Sequence, residues 1–129
     1  MKRIIETDDA PAAVGAYSQA TSNGSLLFTA GQIPMTANGD LLDDESIENQ
    51  TDQALYNLDA VLDEAGASAE DILKVTVFLE DIDDFEAMNE AYADYFDDEP
   101  PARSAVEVAA LPKGVGVEIE AVASVDQTE

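Results

Sequence analysis

The chain holds two arginines, and one of them, Arg103, opens an apolar, β-patterned segment, Pro101-Ala102-Arg103-Ser104-Ala105-Val106-Glu107-Val108. Only five Lys and Arg stand against 29 Asp and Glu, so a cation placed there has a specific task. A guanidinium presents a planar fork of donors that matches a carboxylate bidentately, and it stays charged at any working pH. The residues leave two tasks open: gripping an anionic ligand, or an ion pair with Glu107, Glu118 or Glu120. The second segment able to do chemistry is Val117-Glu118-Ile119-Glu120. A carboxylate confined away from water has its pKa raised towards neutrality and can then take a proton, which makes Glu118 a candidate to orient and activate a water. The plainer role for a strand glutamate is solvation, and Glu120 and Glu107 are read as supporting or structural. With no Cys and no His, there is no thiol nucleophile, no thiolate zinc site and no imidazole base. Chemistry must run on carboxylates, Tyr, Ser, Thr, Lys, Arg and backbone groups, and no cofactor is called for.

Composition narrows the partners. A net charge of −24 repels phosphate backbones and anionic membrane surfaces, because binding them needs clustered cations. The acids are spread over the chain, as Asp8-Asp9, Asp43-Asp44-Glu45, Asp83-Asp84 and Asp97-Asp98-Glu99, and Lys is scarce. This reads as a halophile surface, whose self-repulsion is screened when molar salt shortens the Debye length to about 3 Å. No run approaches the ~20 apolar residues that span a bilayer, and Lys2-Arg3-Ile4-Ile5-Glu6 is not expected to act as a secretory leader. A cytoplasmic protein is expected, with one domain over residues 1–129.

The elements that position these groups follow from periodicity. Short strands are expected over 2–6, 16–21 and 25–31, the last bounded by Asn23-Gly24. Ser46 reads as the N-cap of an amphipathic helix in which Ala54, Leu55, Leu58, Val61, Leu62 and Ala65 recur until a Gly66 stop. A β-branched and aromatic strand covers 71–80, and Asp81 then caps a second helix with an inner stripe of Phe85, Met88, Tyr92 and Phe96. Asn89 interrupts that stripe as a buried hydrogen-bonding anchor. Pro100-Pro101 ends the helix, and two strands close the chain. The expected class is α+β, with both helices on one face of the sheet and the other face bare until something covers it. Alternation separates Arg103, Ala105 and Glu107 from Val106 and Val108, and Glu118 and Glu120 from Val117 and Ile119. With the valines and isoleucine taken inward, all the charged groups are expected on the helix-free face. Adjacency in sequence would pair the last two strands as a hairpin through Leu111-Pro112-Lys113-Gly114.

The segment from Pro101 to Glu120 resembles the C-terminal signature of the RidA family (YjgF/UK114). Ala10-Pro11-Ala12-Ala13-Val14-Gly15-Ala16-Tyr17-Ser18-Gln19-Ala20, Thr29-Ala30-Gly31-Gln32-Ile33-Pro34 and Val75-Thr76-Val77-Phe78-Leu79 with Asp81, Phe85, Asn89 and Tyr92 follow in the family's order. The resemblance implies a chorismate-mutase-like mixed sheet of about six strands, with the last strand inserted into the sheet and the penultimate one at an edge. It further implies a homotrimer with a barrel-like core and sites in the clefts between subunits. The implied activity is hydrolysis of 2-imino acids, such as 2-iminopropanoate and 2-iminobutanoate, to 2-oxo acids and ammonia. In that site Arg103 and the Ala105 N–H would hold the carboxylate, Glu118 would deliver water, Tyr17 would assist by its hydroxyl, and Gly31 and Gln32 would line the cleft. The chain departs from the family pattern at Ala105, where many members carry Cys, at Ala30 for Ser, and at Ala16 for Pro.

Three rivals share these residues. A non-catalytic trimer binding small carboxylates, or acting as a holdase, would need Arg103 but neither Glu118 nor Tyr17. A ribonuclease or translation inhibitor is opposed by the charge and by the absence of His. A chorismate mutase of like fold would have to hold two carboxylates with very few cations.

Overall fold

A computed structural model describes residues 1–125 of the 129. Six strands form one sheet in the order β1-β2-β3-β6-β4-β5: β1 is Arg3–Ile5, β2 Ala20–Ser22, β3 Leu26–Thr29, β4 Ile72–Leu79, β5 Ala102–Glu107 and β6 Val117–Ser124. Two helices, α1 (Ile47–Glu64) and α2 (Phe85–Tyr95), cover one face. The hydroxyl of Ser46 accepts the Asn49 N–H at 3.1 Å, as an N-cap does. Gly66, at φ +81°, supplies the left-handed turn that ends the helix. Asp81 caps a short turn over Ile82–Asp84 through its bond from the Asp83 N–H (2.9 Å), and α2 starts one residue later. The strand expected over 16–21 begins only at Ala20, because residues 11–18 are held as a loop by Gln19. Its amide Nε2 donates to the carbonyls of Pro11 and Thr7, and its Oε1 accepts the Thr7 N–H.

The last two strands do not form a hairpin. β6 lies between β3 and β4, antiparallel to both, and β5 runs parallel to β4 at the sheet's edge. Parallel neighbours need a crossover, and α2 is that crossover. The burial of the two strands agrees with this order. In β6, Val117, Ile119, Ala121 and Ala123 are all buried, which requires a neighbour on each side, whereas β5 has no fully buried residue.

Register settles which groups share a face. Val75, Val77 and Leu79 of β4 point into the core with Leu58, Val61 and Met88, and they pair with Ala121, Ile119 and Val117. The same three pair with Arg103, Ala105 and Glu107 of β5. These β5 side chains therefore lie on the helix-covered side. Glu118 and Glu120 pair with Phe78 and Thr76 on the helix-free side, next to Ser104 and Val106. The expectation that Arg103 and Glu118 share the bare face is thus incorrect. Val106 looked like a core residue but is 42% exposed; on an edge strand the inner face is covered by the stem of Arg103. The bare face also carries Ile4 (56% exposed) and Phe28 (48%), brought into one row with Val122 by the β1-β2-β3-β6 register, on the same face as Glu120.

Candidate active site

Glu118 stands in an open groove of about 640 Å³ together with Tyr17, Gly31 and Gln32. Four parts of the chain build it: β6, the segment after β3, the loop before β2, and the turn at Pro112-Lys113. The segment after β3 is fixed to β6 by two backbone hydrogen bonds, Gln32 N–H to the Ile119 carbonyl (2.8 Å) and Ile119 N–H to the Gln32 carbonyl (3.0 Å). From below, the buried Asn57 of α1 donates from Nδ2 to the carbonyls of Ile33 (3.0 Å) and Met35 (2.8 Å). The loop bearing Tyr17 is held by the Gln19 amide, and the Gln19 carbonyl accepts the Ala30 N–H at 2.9 Å. The base of the groove is tethered to rigid elements, while Tyr17 at its rim is 54% exposed.

These tethers press Gly31 against the Glu118 side chain. A Cβ at Gly31 would overlap the Glu118 carboxylate and lie 2.7 Å from its Cδ. Only glycine leaves the carboxylate where it is. Burial above all, and then Glu120 on the same face, push the Glu118 pKa above the ordinary 4.5. A carboxylate held this way binds a proton more readily than a free one. We expect Gly31→Ala to displace Glu118 and to cost activity about as much as removing the base, roughly 10²-fold or more. Melting should change far less, since the side chain that must move borders an open groove; near-full turnover in this variant would show that the contact is dispensable.

Arg103 and Ala105 stand elsewhere. Nη1 of Arg103 donates to Oδ1 of Asn89 at 2.7 Å, and the guanidinium lies over the rings of Tyr92 and Phe85. Among the described residues no carboxylate pairs with it. Glu118 and Glu120 are on the opposite face, and Glu107 instead accepts the Ile82 N–H (2.9 Å). Asn89 is a hydrogen-bonding anchor, as expected from its position in the stripe, but half-buried and not buried. The Val108 N–H donates to the Leu79 carbonyl at 2.9 Å. The two-residue repeat of strand bonding then turns the N–H groups of Arg103, Ala105 and Glu107 outward along the open edge. Arg103 and the Ala105 N–H thus form one anion-ready edge, and Tyr17, Gly31, Gln32 and Glu118 form one groove, on opposite faces of a single chain.

Sequence reading missed the anchors Asn57 and Gln50. Gln50 accepts the Gly116 N–H (2.8 Å) and donates to the Glu45 carbonyl (2.9 Å). The available signal was two amides seven residues apart on the apolar stripe of α1. Among the described residues no three acidic side chains converge on a metal-binding position.

The family model described as endoribonuclease L-PSP matches residues 7–125. The chain belongs to this family. A RutC family protein of Pyrococcus horikoshii is 50% identical over 123 residues, covering 95% of this chain and 98% of that protein. TdcF of Escherichia coli K12, named there as a proposed reactive intermediate deaminase, is 46% identical over 127 residues, covering 95% and 97%. The crystal structure of E. coli TdcF with bound serine superposes with a TM-score of 0.91 at 43% identity, covering 96% and 99%. YyfA of Yersinia pestis, a member of the conserved Rid protein family, gives 0.92 at 50% identity, covering 97% and 100%. The six-stranded mixed sheet with two helices on one face is the fold of these Rid proteins. Among the described residues no helix is long and apolar enough to cross a membrane.

Proposed function

We propose that this protein hydrolyses 2-imino acids, the tautomers of enamines released by dehydratases acting on serine or threonine, to 2-oxo acids and ammonia. The observation that carries the reading is the Glu118 carboxylate seated on Gly31 in a groove shared with Tyr17, with its pKa raised. Water adds to the imine carbon as Glu118 takes its proton. That proton passes to nitrogen to complete the carbinolamine, the hydroxyl proton follows it to nitrogen by way of Glu118, and ammonia leaves as the C–N bond breaks and the carbonyl forms. Tyr17 assists with its hydroxyl at the nitrogen or the water. Positioning and general base catalysis of ~10²–10⁴-fold are enough, because the free imine already hydrolyses.

The groove's own cation is Lys113, a point charge without the bidentate fork that matches a carboxylate, and one chain holds Arg103 on the wrong face. A homotrimer resolves this by bringing the Arg103–Ala105 edge of one subunit to the groove of its neighbour. The exposed Ile4, Phe28 and Val106 of the bare face, and Val14 and Tyr17 at the groove rim, support such a cover. Bringing together 3 × 24 negative charges is in keeping with a protein working in concentrated salt, and we expect its melting temperature to fall as salt is lowered from molar to millimolar. An unchanged melting temperature would remove the halophile reading.

The serine held by TdcF favours a second reading for this chain, a trimer that binds small carboxylates without turnover. Coupling a serine or threonine dehydratase to semicarbazide trapping separates the two: this protein, in high salt, is expected to divert the imine from the trap. Binding of 2-oxo acids with no acceleration of imine loss would establish the binder instead. Ribonuclease action is disfavoured by the charge of −24 and the absence of His.

A further inference from the structure

α2 surrounds the guanidinium of Arg103 with more than a hydrogen bond. Its Cζ is 4.6 Å from the centroid of the Tyr92 ring and 5.3 Å from that of Phe85, while Nη1 is bonded to Asn89. Phe85, Asn89 and Tyr92 follow at i, i+4 and i+7, one face of the helix. Tyr92 is 3% exposed and its hydroxyl, fully buried, has no hydrogen-bond partner. An idle buried hydroxyl is a cost, so the useful part of Tyr92 is the ring face turned to the cation.

We propose that Phe85 and Tyr92 are positioning residues, an aromatic clamp that fixes the plane of the Arg103 guanidinium. Asn89 occupies Nη1, the rings cover the flat face, and the remaining donors meet a carboxylate from one direction along the edge of β5, beside the outward Ala105 N–H. For the identity of the ligand this inference rests on the reading given above. The carboxylate and C=N of a 2-imino acid are conjugated, so holding the carboxylate in one plane also decides which face of C=N meets the water carried by Glu118. A loosened clamp therefore lowers kcat by a larger factor than it raises KM.

The chain's two arginines make the clamp observable without a ligand, since Arg3 and Arg103 are the sources of its arginine Nε–Hε resonances. In ¹⁵N-labelled protein the Arg103 signal is expected to be shifted by ring currents, with the shift kept in Tyr92→Phe and lost in Tyr92→Leu. Calorimetry with 2-oxobutanoate should give wild-type affinity for Tyr92→Phe and roughly 3- to 30-fold weaker binding for Tyr92→Leu. Phe85→Leu, at a less buried position, should follow with a smaller loss and serves where Tyr92→Leu does not fold. An unshifted Arg103 resonance in the wild type, or a folded Leu variant with wild-type affinity, overturns the clamp. Clamp-dependent binding in a protein that never accelerates imine hydrolysis upholds the clamp and removes the deaminase. A shifted resonance with no 2-oxobutanoate binding removes the carboxylate role of Arg103, and the positioning role with it.

Discussion

Glu118→Gln is expected to lower imine hydrolysis by ~10²–10⁴-fold while 2-oxo acid binding stays close to that of the wild type. The amide keeps the shape that fits Gly31 but cannot take a proton. Stability should not fall with activity. A raised pKa means that the folded state favours the protonated carboxyl. The contribution of Glu118 to stability is therefore fully present below the ordinary 4.5 and is lost as pH rises through the raised folded value. The neutral amide escapes that loss and the repulsion from Glu120, so at neutral pH the variant should melt no lower than the wild type. In the wild type the same ionisation acts in the opposite sense on rate. Hydrolysis should increase as pH rises through the raised pKa, and that limb should vanish in Glu118→Gln. Full activity in the variant would place water activation on another group.

Much of the arrangement was legible in the residues. Ser46 and Gly66 bound α1 because an N-cap hydroxyl and a left-handed glycine act locally, within one turn. Of the residues that the motif resemblance implied for one cleft, Glu118, Gly31, Gln32 and Tyr17 meet in one groove, and Arg103 and Ala105 do not. What alternation could not decide was the side of the sheet on which each set of β5 side chains lies. A period of two separates two faces without labelling them, and the label comes from a pairing to β4, more than twenty residues away. The apolar Val106 and charged Arg103 suggested the wrong label, because an edge strand reverses the usual sense: the charged side chain lies along α2, and the valine is left exposed. The amides of Asn57 and Gln50 were passed over for a related reason. Their partners are carbonyls of irregular segments, and no local pattern announces which loop a helix must hold. Of the departures from the family pattern, Ala105 still presents an outward backbone N–H, which no side-chain change removes. Ala30 lines the groove. Ala16 lies in the loop held by the Gln19 side chain through its hydrogen bonds to Thr7 and Pro11.

The opposite placement of Arg103 and Glu118 leads to a sharp expectation about assembly. Arg103→Ala alone removes the carboxylate grip, so both 2-oxo acid binding and turnover should collapse, and Glu118→Gln alone removes the base. In a ring of three subunits each cleft draws Arg103 from one chain and Glu118 from the next, a heterologous contact. When the two variants are unfolded together and refolded as a mixture, some clefts combine the intact Arg103 of a Glu118→Gln chain with the intact Glu118 of an Arg103→Ala chain. Random assembly of equal amounts should restore about a quarter of wild-type activity, from two inactive parents, because each cleft draws both of its donors independently in a closed ring. A chain carrying both changes, mixed with wild type, should instead leave about a quarter of clefts competent by the same count, so the restored activity can be calibrated within one experiment. Complementation near that level, together with sedimentation of the wild type as three subunits in molar salt, would fix both the assembly and the shared site. Two inactive parents that remain inactive after mixing, with mixed trimers demonstrated by mass, would show that Arg103 and Glu118 do not serve one cleft and would return Arg103 to a structural role beside α2.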